Sequence, residues 1–139
     1  MTRINVGIDT WKLPDELLLA ELREIKRLPY FKRTLKDQTP PPTFTLGKGH
    51  IKFFLPHLLF VKNRYQRLRE EALRRGFDVI DFSQNFEGLD LGTDYSPTET
   101  DRSLIIQRIC QRVMESKKIW WHYYGNRISK EEACKLISC

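Results

Sequence analysis

Apolar residues return at helical spacing in three long stretches of the chain. Leu17, Leu18, Leu22 and Ile25 form the first stripe, behind Pro14, Asp15 and Glu16, a proline and two acids suited to a first helical turn. Arg23, Glu24 and Arg27 fall on the other side of this helix, with Arg23 and Arg27 one turn apart. Pro29 should end or kink it, and Phe31 to Asp37 adds a basic turn through Lys32, Arg33 and Lys36. The second stripe, Leu59, Val61, Tyr65, Leu68, Ala72 and Leu73, predicts a helix over residues 58–75 with Gly76 as its cap. The arginines of that helix, Arg64, Arg67, Arg69, Arg74 and Arg75, are expected in solvent and partly paired with Glu70 and Glu71. The third stripe is Leu104, Ile105, Ile109 and Val113, with Arg108 and Arg112 one turn apart and off it. Its start reads as a capping box in Ser96-Pro97-Thr98-Glu99, with Ser96 as N-cap, and its end falls near Lys117. A second capping signature, Ser129-Lys130-Glu131-Glu132, starts a short C-terminal helix, read as an extension that the rest of the protein does not need.

The stretches between helices are less regular. Gln38-Thr39-Pro40-Pro41-Pro42-Thr43 reads as a rigid loop, because proline fixes φ and removes donors. Residues 44–54 read as a compact extended segment, and their Gly47-Lys48-Gly49 lacks the full pattern of a phosphate-binding loop. Asp78 to Asp94 is acidic and irregular, without the order of a calcium-binding loop. The run Trp120-Trp121-His122-Tyr123-Tyr124-Gly125 is dense enough in rings either to pack a core or to stack on bases and wedge into a duplex; a mixture is expected.

Composition narrows the picture. With 139 residues, 40% hydrophobic and 30% charged, the chain reads as one soluble globular domain with a real core. No apolar run approaches the ~20 residues of a membrane span, and Pro14, Asp15 and Glu16 interrupt any signal-peptide pattern, so the expected location is cytoplasmic. Cys110, Cys134 and Cys139 are odd in number and read as reduced thiols; neither they nor His50, His57 and His122 have metal-site spacing. A net charge of +6 fits a polyanionic partner.

Met1-Thr2-Arg3-Ile4-Asn5 adds candidate chemistry. Thr2 is small enough for Met1 to be removed, which would leave an α-amine titrating near ~7.7–8.0, so that roughly a tenth to a sixth of it is neutral at pH 7. Such an amine is a ready nucleophile for an electrophilic sugar carbon. Taken alone, these five residues are an ordinary chain start, and Arg23, Glu24 and Arg27 an ordinary solvated face.

Together the stretches resemble the phage-type pyrimidine-dimer DNA glycosylases. The residues that carry the resemblance are Met1-Thr2-Arg3-Ile4-Asn5, Ala20-Glu21-Leu22-Arg23-Glu24 with Arg27, and Pro42-Thr43-Phe44 with Leu46-Gly47. It continues through Gly49-His50, Phe53-Phe54, Arg75-Gly76-Phe77, Asp94-Tyr95 with Pro97, and Trp120 followed by Tyr123-Tyr124-Gly125. The resemblance implies an all-α, compact single domain of three main helices with the N-terminal segment threading between them. It implies a domain over residues 1–128, followed at 129–139 by a short C-terminal helical extension. By the same resemblance the Thr2 amine attacks the sugar carbon under the damaged base, an imine forms, and β-elimination breaks the strand. Glu24 matches the catalytic carboxylate. Arg3, Arg23, Arg27, Arg108 and Arg112 match basic residues that touch DNA, and His50, Trp120, Trp121, Tyr123 and Tyr124 are candidate lesion or duplex contacts.

The implied partner is damaged double-stranded DNA, met by a monomer that uses no metal or organic cofactor and is associated with nucleoid or viral DNA. Leu17 stands where the best-known phage enzyme has a histidine, and Trp121 and His122 where it has a tyrosine and a lysine. Two alternatives remain beside this reading: the same lyase chemistry on another damaged or modified base, and a basic helical DNA-binding module without chemistry.

Overall fold

In a computed structural model of the chain, which describes residues 3–139, the N-terminal segment enters the core before the first helix begins. Ile4, Val6 and Ile8 are 0%, 0% and 1% exposed. Helix α1 (Asp15–Ile25) follows, with its acids in the first turn and Leu18, Leu22 and Ile25 buried. Pro29 opens the next helix, α2 (Leu28–Thr34), where a missing N–H costs nothing.

The segment expected to be extended is instead helical. A single 3-10 turn at Gly47–Gly49 leads into α3 (His50–Phe54), and another at Leu55–His57 leads directly into α4 (Leu58–Arg74). The buried positions of α3 are His50, Phe53 and Phe54, a helical spacing that a strand would split between two faces. At the end of α4, Gly76 takes φ 90°, and the Gly76 and Phe77 amides bond back to the Leu73 and Ala72 carbonyls. This is the glycine cap expected there.

Helix α5 (Glu99–Glu115) starts two residues later than the capping reading placed it. Thr98, not Ser96, is the N-cap: its hydroxyl accepts from the Asp101 amide at 3.1 Å, and Asp101 accepts from the Thr98 amide at 3.1 Å. Asp101 also accepts from the Tyr95 hydroxyl, so the acid at this position is fixed from two sides. The aromatic run then forms a hairpin that the pattern did not reveal, β1 (Trp121–Tyr123) against β2 (Asn126–Ile128), with Trp121 opposite Ile128. Its two-residue turn puts Tyr124 at φ 51° and Gly125 at φ 79°, the paired left-handed geometry of a tight hairpin.

Helix α6 (Lys130–Ser138) begins at the expected Ser129 and Glu132 capping box. It is not a detached extension, however. Ala133 and Ile137 are fully buried in the same core as Ile105, Ile109 and Val113 of α5. The Cys139 carbonyl accepts from Lys12 and from Arg102, which joins the end of the chain to its beginning. The architecture is an all-α single domain with α1, α4 and α5 as its three main helices. Among the described residues no helix is long and apolar enough to cross a membrane.

Two arginines of α4 expected in solvent lie inside. Arg64 makes a two-point bond to Glu21 of α1, Nε to Oε2 at 2.6 Å and Nη2 to Oε1 at 3.0 Å, and its Nη1 caps the Ile8 carbonyl at 2.8 Å. Arg75 bonds Glu71 at 2.8 Å and Asp15 at 2.9 Å. Both sit on the apolar side of their helix because an acid from another turn or another helix meets them there. Replacing Arg64 by Ala leaves the Glu21 carboxylate buried without its cation, and unfolding in urea should show a loss of about 3–5 kcal/mol with an unchanged denaturant slope.

Candidate functional site

A cleft of about 240 Å³ opens where the N-terminal segment, one face of α1 and the C-terminal half of α5 meet. Arg3 and Asn5 come from the first, Leu17, Glu21 and Glu24 from the second, and Arg112 with Ser116 from the third, while Trp121 of β1 also lines it. Residues more than 80 positions apart in sequence thus form one wall because the buried Ile4 and Val6 carry the N-terminal segment between the helices.

Asn5 is held from within. Its amide Nδ2 donates to Glu21 Oε1 at 2.8 Å, and Glu21 is clamped by Arg64 from α4. One residue earlier, the Ile4 amide donates to His50 Nε2 at 2.8 Å. These two anchors on consecutive residues fix the course of the segment as it reaches the cleft.

The cleft is electropositive. Burial pushes the Arg3 guanidinium down to about 10, and the nearby charges of Arg112 and then Arg108 push in the same direction. Three like charges brought this close favour an anion between them, and phosphate oxygens have the geometry guanidinium groups bind best. Glu24 joins Glu21 on this wall, and where Glu21 is taken up by Asn5 and Arg64, the Glu24 Oε2 accepts from Arg27 Nη1 at 3.1 Å, one turn along the same helix. A carboxylate set among arginines stays aligned and can face a cationic centre without being far from the anion that the arginines hold.

Arg3, Glu24, Arg112 and Trp121 therefore share one site, with Arg27 attached to it through Glu24 and Arg108 through its field on Arg3. Arg23 does not join them. It lines a separate groove with Lys26, Tyr65, Val79 and Phe82, on the far side of α1. Thr2 lies outside the described residues; its chain neighbour Arg3 lines the cleft.

The other candidates divide between surface and interior. Trp120 is 43% exposed, with the Arg127 guanidinium 4.5 Å from its ring centre. Trp121 is only 8% exposed, and its indole N–H has no hydrogen-bond partner among the described residues. Tyr123 and Tyr124, expected as candidate duplex contacts, bond the Trp11 carbonyl and Glu71 through their hydroxyls, each at 2.7 Å, and both rings flank Arg75 within 5 Å, with Tyr124 still 40% exposed. Asp15 also accepts from the Tyr124 and Gly125 amides, which docks the hairpin turn on the first turn of α1, roughly 14 Å along the axis from Glu24. His50 corrects its expectation too, being 2% exposed beneath the N-terminal segment and not at the surface.

The sequence reading passed over Asn5, Glu21 and Arg64 as a unit. A signal was present, since Glu21 falls between Leu18, Leu22 and Ile25 on the apolar face of α1, and Arg64 between Val61, Tyr65 and Leu68 on that of α4. A charge inside an apolar stripe calls for a partner, and two of opposite sign can supply each other.

Fold and cleft together define a small, basic, all-helical protein that delivers its N-terminal segment to an acid among arginines. Residues 1–85 match the pyrimidine dimer DNA glycosylase family, and the chain belongs to it. The matched part contains Arg3, Glu24, Arg27 and His50, whereas Arg108, Arg112 and the hairpin come to the site through the tertiary fold.

Proposed function

We propose that the protein is a pyrimidine-dimer glycosylase with abasic-site lyase activity, in which the α-amine of Thr2, exposed by removal of Met1, attacks the sugar carbon under the damaged base. The observation that carries the reading is the placement of Glu24 and Arg3 in one cleft at the end of an anchored N-terminal segment. Attack forms a carbon–nitrogen bond and breaks the glycosidic bond, whose electron pair leaves with the base. The sugar ring then opens to an imine on Thr2. Loss of a proton from the neighbouring carbon expels the 3′ phosphate and cuts the strand.

Glu24 stabilises the cationic sugar and imine and moves protons during ring opening and elimination. Arg3, Arg108 and Arg112 hold phosphates on either side of the lesion, and Arg27 keeps the Glu24 carboxylate oriented. Arg23 lies off the cleft, so its role would be contact with the flanking backbone. Exposed Trp120 is the aromatic best placed to meet the duplex, and Trp121 to shape the cleft. A dimer is already poorly stacked, so kinking it and turning a nucleotide out of the helix costs less there than in intact DNA. The protein acts as a monomer without a metal or organic cofactor.

Phosphate contacts give a salt signature. Replacing Arg108 by Ala should weaken binding to all duplexes alike and reduce the slope of log affinity against log salt by about 1. A variant with the wild-type slope would remove Arg108 from the interface.

The test of the function is borohydride trapping on defined duplexes, after mass spectrometry shows that Met1 is absent. A covalent adduct is expected with a thymine-dimer duplex and with an abasic duplex, and none with undamaged DNA. An adduct on the abasic duplex alone would keep the lyase and assign it to a different base. No adduct on either would leave a DNA-binding module and end the enzyme reading.

A further inference from the structure

We infer that His50 is a positioning residue: by accepting the Ile4 amide it holds the N-terminal segment, and hence the proposed Thr2 nucleophile, in register with the cleft. The inference rests on the amine mechanism proposed above for its link to activity, though not for the contact itself.

The bonding of the ring is determined by what surrounds it. The Ile4 N–H at 2.8 Å from Nε2 has only a proton to offer, and the Thr45 carbonyl at 3.1 Å from Nδ1 has only lone pairs. Nε2 must therefore carry the lone pair and Nδ1 the proton, which is the neutral imidazole. Phe44 and Phe54 pack against it in T-shaped contacts, with ring centres at 5.6 and 5.2 Å. The loop that supplies the Thr45 carbonyl packs tightly against Gly49, where a Cβ would stand 2.7 Å from the Thr45 methyl. Ring, loop and N-terminal segment are thus fitted to one another across 46 residues of sequence.

A second proton on this ring would place N–H against N–H at Ile4 and strand a cation in the core. The charged groups that act on it are Arg3 and Glu21. Burial is the largest influence and lowers the His50 pKa, Arg3 lowers it further, and the Thr45 bond and Glu21 pull it up without restoring it. The sign follows from this. The unfolded ring, near ~6.5, takes up its proton before the folded one does, so the stability the contact contributes is full above that pH and declines below it. In the folded protein the contact itself persists until pH falls through the depressed folded value.

Asn5 is anchored separately through Glu21 and Arg64, so loss of the His50 contact should release the segment before Asn5 while leaving the body of the protein in place. A small displacement of a nucleophile is enough to matter, since an error of about 1 Å can slow an oriented reaction roughly 10²-fold.

The experiment compares the full-length wild type with His50→Ala and His50→Gln, each confirmed to lack Met1. It reads the single-turnover rate of borohydride-trapped adduct on an abasic duplex, affinity for a duplex with an uncleavable abasic analogue, and amide exchange of the peptide that contains Ile4. His50→Ala should trap roughly 10- to 100-fold more slowly, with affinity little changed and exchange at Ile4 accelerated. His50→Gln offers an acceptor that does not titrate. It should recover most of the rate at pH 8, and the ratio of wild-type to His50→Gln rates should stay level through ~6.5 and fall only as pH drops through the lower folded value of the His50 ring.

A folded His50→Ala protein that traps at the wild-type rate would overturn the inference. If His50→Ala does not fold, a wild-type to His50→Gln ratio that stays constant across the pH at which NMR shows the folded His50 ring taking up its proton would overturn it. If the wild type itself traps nothing, the proposed function fails, and unchanged exchange at Ile4 in the variants would then remove the contact as well.

Discussion

Glu24→Gln should bind damaged duplex as tightly as the wild type, or more tightly, and should cut it about 10²–10⁴-fold more slowly. Glutamine keeps the shape of the side chain, and its amide oxygen can still accept from Arg27, which lies 3.1 Å from the native carboxylate. What it loses is a full negative charge and the ability to take up a proton. Binding should not need that charge, because Arg3 and Arg112, which line the same cleft, are the groups proposed to act on phosphates. The proposed chemical step does need it, since in that mechanism positive charge develops on the sugar and persists in the imine. The loss corresponds to about 3–5 kcal/mol of transition-state stabilisation. Single-turnover cleavage of an abasic duplex measured beside the dissociation constant separates the two effects. Cleavage within tenfold of the wild type would remove Glu24 from the chemistry, and an equal loss of affinity and rate would make it a binding residue only.

Blocking the N-terminal amine should abolish the trapped adduct altogether. An acetylated Thr2, or a chain that keeps Met1, has no nucleophile in the proposed place, while every arginine of the interface is unchanged. The lysines are poor substitutes at neutral pH, because an amine near ~10.4 is almost wholly protonated where one near ~8 is partly neutral. Affinity for the duplex should therefore persist while borohydride captures nothing. Peptide mapping of any adduct that does form decides the point. An adduct on the Thr2 peptide from unblocked protein supports the mechanism, and one on a lysine peptide from acetylated protein would replace it with another nucleophile.

Much of this fold can be read along the chain. The α1 stripe, the Gly76 cap and the Ser129 capping box depend on residues within a turn or two of one another, and all three occur where the pattern put them. Errors came where a local signal had a near neighbour of equal strength. Ser96 and Thr98 are both capping residues, and the choice fell to Thr98 because Asp101, held by the Tyr95 hydroxyl, completes the pair. Gly47 and Gly49 suggested extended chain, but burial of His50, Phe53 and Phe54 together requires a helix.

The cleft was half visible. Arg3, Glu24 and Arg112 could be selected as candidates from the resemblance and the charge pattern, whereas the support beneath them could not. Tyr123, Tyr124 and His50, candidates for contact with DNA, also hold the protein together: the two hydroxyls and the imidazole each bond a distant part of the chain. Aromatic and imidazole groups serve either purpose equally well, so their type alone does not distinguish them.

By itself, then, the sequence determined the helices, the basic balance of +6 and the acid and arginines from which a site could be made. The tertiary structure decided which charges line the cleft and which hold the protein together. Arg64 finds Glu21 across 43 residues and Arg75 finds Asp15 across 60, while Arg3 and Arg112 are brought together on the wall of the cleft, with Arg108 close enough for its charge to act on Arg3. An arginine can leave water only when a distant segment brings it an acid, and that meeting is a property of the packed chain and not of its order.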